Sequence, residues 1–295
     1  MPKQRYNVMR AYMPTVGTRG LDMMLRTATV QTNLDFADEP DAAAKMRVLQ
    51  SVSSILTALW ANSSIVEGQV TEFQSARAWI WRDTDSARSG LLPFVFTRDS
   101  LFADYTEWAL DVPMYFVHRG GYLPVTGLTF RQFMQAGWNG HRATRSDWAL
   151  HLSTLFPEVR LKKYLEVRGA DCGSMAMNAA LAPLTRAISY DATARDAAWA
   201  LTAKATFAER VQLADEVPRS GLSATLRGTP LLSLARELVA IAQDGLARLE
   251  PAAVSLLDPV AEIAATGYTQ ADRAGAAWRK AVTTTDKIAA LTQPF

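Results

Sequence analysis

The sequence predicts an α+β protein, and three observations carry that reading. Texture changes near Asp171: Trp, Tyr, Phe, Pro and Gly are frequent before it, Ala and Leu after it. Period-two alternation runs through "RTATVQTNLDF" (Arg26 to Phe36) and "RLKKYLEVRGAD", which marks strands because successive side chains point to opposite faces. Beyond Asp171 several stretches have the apolar spacing of helices. The expectation is a sheet-containing region over 1–171 and a helical region over 172–295, packed on it as one continuous domain.

In the first alternating stretch, Ala28, Val30, Thr32, Leu34 and Phe36 form one face and Thr27, Thr29, Gln31, Asn33 and Asp35 the other. The second face carries hydroxyls and amides where a water-facing strand usually carries Lys and Glu. "AAAKMRVLQSVSSILTALWA", Ala42 to Ala61, has apolar residues three and four apart, so a core-facing helix is predicted, with Pro40 and Asp41 at its start. "VPMYFVHRGGYLPVTG" reads as strand, Gly120-Gly121 turn, strand, and Pro124 puts the second strand at an edge because proline has no N–H to give a ladder. Thr129 with Gln132, and Thr206 with Glu209, have the spacing of capping boxes, so helices are predicted to begin there. A further helix is expected from Pro230 through "LLSLARELVAIAQDGLARL". In the last strand Lys162, Tyr164, Glu166 and Arg168 share a face.

Composition excludes several classes. Hydrophobic residues are 49% of the chain and charged residues 20%, the profile of a folded protein. A net charge of +2 without a run of Lys and Arg gives no footprint for nucleic acid. One cysteine, Cys172, cannot make an internal disulfide or a thiolate metal site; this suits a reducing compartment, and the cytoplasm is the expectation. No apolar run is long enough to cross a membrane, and the first residues lack a signal peptide's apolar region. His118, His141 and His151 are isolated, without metal-ligand spacing. "RGADCG" lacks the Lys-Ser/Thr of a phosphate-cradling loop.

Three polar clusters remain, each with a plain structural alternative. The Thr27 to Asp35 face could be an ordinary solvated strand face. "FQSARAWIWRDTD" brings Arg77 and Trp81 near Asp83 and Asp85. A guanidinium fork suits a substrate carboxylate and an indole can wall its pocket, but an aromatic core with a surface ion pair reads equally well. Glu166 and Arg168 could be a structural pair on one strand.

Taken together, "MPTVGTRGLDMMLRTATVQTNLDF", "ALWANSSIVEG", "IWRDTDSARSGLLPFVF", "WALDVPMYFVHRGG" and "DWALHLSTLFPEVRLKKYLEVRGAD" resemble the plant and proteobacterial type of glutamate-cysteine ligase. The likeness is nearly gap-free to Asp171 and looser beyond it. It implies an antiparallel sheet of the glutamine-synthetase-like kind with flanking helices and a helical C-terminal part. The implied partners are ATP, Mg²⁺, L-glutamate and L-cysteine, and the reaction joins the glutamate side-chain carboxylate to the cysteine amine through an acyl phosphate, the first step of glutathione synthesis.

By the same resemblance Thr27, Thr29, Gln31 and Asn33 line the amino-acid pocket, Arg77 takes a substrate carboxylate, and Trp81 and Tyr115 shape the pocket. Glu166 is the expected Mg²⁺ ligand, and Arg168 the catalytic cation for the transferred phosphoryl group. The opening text matches the family's interior, so the family's N-terminal section, with its metal-binding glutamates, is expected to be missing. A second chain, either a copy or a partner, could then complete the sheet at an exposed edge. The alternative is a truncated, non-catalytic relative that binds an acidic amino acid or pairs with a full-length ligase.

Overall fold

The computed structural model describes residues 4–292, and helices run through both parts of the chain. The first part opens with α1 (Gln4–Tyr12) and α2 (Gly20–Arg26), followed by β1 (Thr32–Leu34). The strand expected over Arg26 to Phe36 is therefore only three residues long. Arg26 closes α2, and the Thr27 hydroxyl donates to the Met23 carbonyl one turn back, at 2.7 Å. Thr29 makes only an isolated bridge to Asp171. Within β1 the predicted faces hold: Thr32 and Leu34 are buried, Asn33 is exposed.

The long periodic stretch becomes two helices, α3 (Glu39–Ser51) and α4 (Ser53–Leu59). Asp38 caps the first by accepting from the Asp41 N–H, with Pro40 in its opening turn. The break at Val52 has a visible cause. Ser51 donates to the Val48 carbonyl and Ser53 to the Gln50 carbonyl, so side chains compete with amides for the ladder's acceptors. A tight hairpin follows, β2 (Ile65–Val66) and β3 (Gln69–Val70), then α5 (Ala76–Arg82), β4 (Ser89–Gly90) and α6 (Leu101–Asp111).

β5 (Phe116–His118) and β6 (Tyr122–Pro124) form the expected hairpin as a two-stranded sheet, in which each strand is an edge and Pro124 is tolerated. Next come α7 (Phe130–Ala136), α8 (Arg145–Leu152) and β7 (Phe156–Pro157), which pairs in parallel with β4. The expected single strand after Val159 is a hairpin, β8 (Val159–Leu161) and β9 (Leu165–Val167), turning at residues 162–164. β1, β9 and β8 lie side by side, antiparallel, with Asn33 and Arg160 both in register with Glu166.

The remainder is helical: α9 (Met175–Tyr190), α10 (Ala192–Ala200), α11 (Phe207–Ser220), a small hairpin of β10 (Thr225–Leu226) and β11 (Thr229–Pro230), α12 (Leu231–Leu249), α13 (Asp258–Thr266), α14 (Gln270–Lys280) and α15 (Thr284–Thr292). The capping boxes at Thr129–Gln132 and Thr206–Glu209 both form. The largest apolar cluster joins Leu34, Ile55 and Trp60 to Leu184, Ile188 and Leu238, so the change of composition at Asp171 is not a change of core. The Trp60 indole N–H crosses it, donating to the Met177 carbonyl at 2.9 Å. This is a mixed helix and sheet architecture with small sheets. Among the described residues every strand except β10 and β11 lies before Asp171, in small sheets interleaved with helices. No helix among the described residues is long and apolar enough to cross a membrane.

Candidate active site

The chain leaving β9 organises the site. Past Val167 the carbonyls of residues 168–170 have no strand partner in the three-stranded sheet, and buried carbonyls must be paired. Side chains meet them. Arg77 donates to the Arg168 carbonyl at 2.6 Å and the Gly169 carbonyl at 3.3 Å, and Thr29 to the Ala170 carbonyl at 2.7 Å. Thr57 reaches the Gly169 carbonyl at 3.2 Å. Asp171 ends the segment, fully enclosed, accepting from the Asn62 N–H and from the Ser63 and Ser75 hydroxyls at 2.7–3.0 Å. Burial pushes its carboxyl pKa up, against the pull of Arg77 at 3.7 Å.

Ser75 also caps α5, and the Gln74 and Ser75 N–H groups donate to the Pro218 carbonyl, which fixes α5 against α11. Arg77 is thereby held one residue inside the helix start. On the other side Gly17 lets the chain before α2 press against the segment that follows α5: a Cβ there would stand 2.5 Å from the Thr84 carbonyl oxygen.

Between α2, α5, the β2–β3 hairpin and the Asp171 segment lies a cavity of ≈ 590 Å³. Thr27, Asn62, Ser63, Arg77 and Asp171 line it together with the exposed Cys172, Phe73 and Trp79 wall it, and Arg19, Asp22, Arg26 and Glu67 also border it. Arg77 is only 6% exposed, and its Nε has no hydrogen-bond partner. That Nε is closed to solvent, as are the unpartnered Nε atoms of Arg160 and Arg210, so what relates Arg77 to the cavity is its place in the lining.

Across the Arg168–Asp171 segment is a cluster of cations. Glu166, 4% exposed, accepts from Arg160 at 2.7 and 3.0 Å, from Lys162 at 2.6 Å and from Arg168 at 2.6 Å. Burial would raise its pKa, but hydrogen bonds from Lys162 and Arg160 and the charge of Arg160 overcome it and hold the group at about 2. Three cations around one carboxylate leave a net charge of +2. The Arg168 guanidinium lies 5.5 Å from the Trp81 ring and 5.6 Å from Phe156, and burial pushes its pKa down.

The expected site residues thus separate into groups. Thr29, Arg77, Trp81, Glu166 and Arg168 converge on one segment, and Thr27 joins Arg77 in the cavity. Gln31 and Asn33 do not line that cavity; they are exposed on and beside β1, with Asn33 next to the Glu166 cluster. Tyr115 is elsewhere, buried under the Arg88 guanidinium at 3.7 Å with its hydroxyl 3.3 Å from Asp85. Its pocket-shaping role is corrected to a packing role in the cluster of Met9, Met13 and Phe116.

The residues present do not fit Mg²⁺. Glu166 gives both oxygens to three cations, whereas Mg²⁺ requires oxygen donors free to coordinate, and no group of three or more His, Cys, Asp or Glu able to hold a metal occurs among the described residues. Sequence reasoning missed Arg160 and Asp171. Arg160 was hidden because the alternation runs through a turn, so the residue opposite Glu166 could not be counted. For Asp171 the available signal was its place after the Gly169 break.

The model of the glutamate-cysteine ligase family 2 (GCS2) matches residues 1–288. The chain belongs to that family. Among its relatives, glutamate-cysteine ligase, chloroplastic, of Brassica juncea is 46% identical over 276 residues, 92% of this chain and 54% of that protein. The Arabidopsis thaliana protein of the same name is 46% identical over 277 residues, 92% and 53%. Glutamate-cysteine ligase B, chloroplastic, of Oryza sativa subsp. japonica is 44% identical over 279 residues, 92% and 56%. The chain spans about half the length of the curated relatives it matches. Their chloroplastic names overturn the cytoplasmic expectation: a single cysteine argues for a reducing environment and cannot say which one.

Proposed function

We propose that the chain provides the acidic-amino-acid pocket and the phosphoryl-facing cations of an ATP-dependent ligase that joins glutamate to cysteine. The glutamate side-chain carboxylate takes the γ-phosphoryl group of ATP, giving an acyl phosphate and ADP. The cysteine amine then attacks the acyl carbon, phosphate leaves with the bonding pair, and the amine proton passes to solvent. This is the first committed step toward glutathione. Family membership supports the reaction class, and the relatives' names supply the two amino acids.

One observation carries the reading: a buried guanidinium, Arg77, lines a cavity of ≈ 590 Å³, large enough to admit an amino acid. Arg77 would hold a glutamate carboxylate, with Thr27 beside it as a neutral donor and acceptor. Arg168, stacked near Trp81 and Phe156 and backed by Arg160 and Lys162, would meet the charge that gathers on the phosphoryl group in transfer. Glu166 positions these cations. The free edges of the three-stranded sheet, β1 and β8, are where a further strand from a second chain would extend it toward the glutamine-synthetase-like form.

The test uses the purified 295-residue chain with ATP, glutamate and cysteine. Phosphate release that requires both amino acids is expected. Silence in their joint presence, with glutamate still bound, contradicts catalysis by this chain and leaves the non-catalytic relative.

A further inference from the structure

Around the cavity runs a ladder of alternating charge. Arg19 Nη1 is 3.4 Å from Asp22 Oδ2, Arg26 Nε is 3.4 Å from Asp22 Oδ1, and Arg26 Nη2 is 2.8 Å from Glu67 Oε1. All four side chains border the cavity. The last pair joins its two sides: Arg26 ends α2, and Glu67 is at the tip of the β2–β3 hairpin. Their side chains are 49% and 69% exposed, which places the pair at the rim.

The backbone at the tip adds an independent observation. Glu67 has φ +49° and Gly68 φ +76°, the two positive values of a tight two-residue hairpin turn. Asn, Asp or Gly is the residue that turn favours at its first position, and Glu is strained there. Its long carboxylate is what reaches Arg26. The hairpin is fastened at its base, where the Ser64 hydroxyl donates to the Ala271 carbonyl and the Thr71 N–H to the Ser64 carbonyl, while residues 67–69 are exposed. The hairpin also packs on α14, with Gly68 near the Trp278 ring, and the Arg26–Glu67 pair is the tip's ionic link to α2.

We infer that Arg26–Glu67 is a strap across the cavity mouth, released when the carboxylate of an incoming small acidic molecule replaces Glu67 on Arg26. The displacement step rests on the amino-acid reading of the cavity; the strap does not. Arg26 changes partner, and no net charge is buried or exposed in the exchange. The hairpin is then free to move aside for the ligand and return behind it.

Glutamate titration and amide hydrogen exchange on the full chain test this with two variants of opposite sign. Glu67→Gln frees Arg26, so exchange at residues 65–70 is expected to quicken and glutamate affinity to rise by about two- to fivefold, the range of an exposed ion pair. Arg26→Gln quickens exchange equally but weakens binding by about tenfold, because the ligand loses its charged donor. Unchanged exchange in Glu67→Gln overturns the strap, and unchanged or weaker binding overturns the displacement. If exchange quickens but no form of the chain binds glutamate, the amino-acid reading and the displacement both fall and the strap alone stands.

Discussion

Two arginines from one stretch of sequence, "RAWIWRDTDSAR", meet carboxylates in opposite ways. Arg88 is wholly enclosed and fully paired: Nε to Asp85 at 2.5 Å, Nη2 to the Pro113 carbonyl at 2.6 Å, Nη1 to the Thr154 hydroxyl at 3.3 Å, and its face on the Tyr115 ring. Arg77 approaches Asp171 no closer than 3.7 Å, donates to two backbone carbonyls, and borders a cavity with Nε unpaired. The first arrangement is complete without a ligand. The second leaves a guanidinium bordering open space, and that difference is why the ligand role is proposed for Arg77 and not for Arg88.

The comparison can be broken by removing each partner in turn. Arg88→Met leaves Asp85 buried without its cation and should cost about 3–5 kcal/mol in urea unfolding, with ligand affinity unchanged in the folded fraction. A cost below that of an exposed pair would show that the site hydrates. Acid tests the Glu166 cluster next. Glu166 is held at about 2 from its usual 4.5, so the ionised form stabilises the fold fully above 4.5, and that stability is lost as pH falls from 4.5 toward 2. The loss should be up to about 3 kcal/mol, and Glu166→Gln should flatten the acid limb of the stability curve. The smallest effect belongs to Tyr115→Phe, which removes one 3.3 Å hydrogen bond to Asp85 and should cost about 1 kcal/mol in the same unfolding assay while leaving glutamate affinity intact.

Local chemistry was legible from sequence wherever one residue does the work. Thr129 and Thr206 cap as their spacing required, Gly120 takes φ +72° in the expected turn, and α12 begins after Pro230. Pairing was harder to read because a strand is defined by its partner. Alternation continued from Arg26 to Phe36 although only residues 32–34 form a strand, with Thr29 in an isolated bridge, and it ran through residues 162–164 although Lys-Lys-Tyr carries no Gly, Asn or Pro to announce a turn. Of the site, Arg77, Trp81 and Arg168 were legible as chemistry, but their convergence was not. It depends on unpaired carbonyls after β9, which no residue name reveals. Tyr115 was misplaced for the same reason, since an aromatic in a hairpin can face a pocket or a buried guanidinium with no change in its neighbours' identities.

The central claim is that Arg77 borders a cavity because it binds a small acidic molecule. Calorimetric titration of the 295-residue chain with L-glutamate, wild type beside Arg77→Lys, tests it most directly. Saturable binding weakened by about tenfold or more in Arg77→Lys is predicted, because a lysine keeps the charge and loses the fork. Equal affinity in the two proteins would contradict the account.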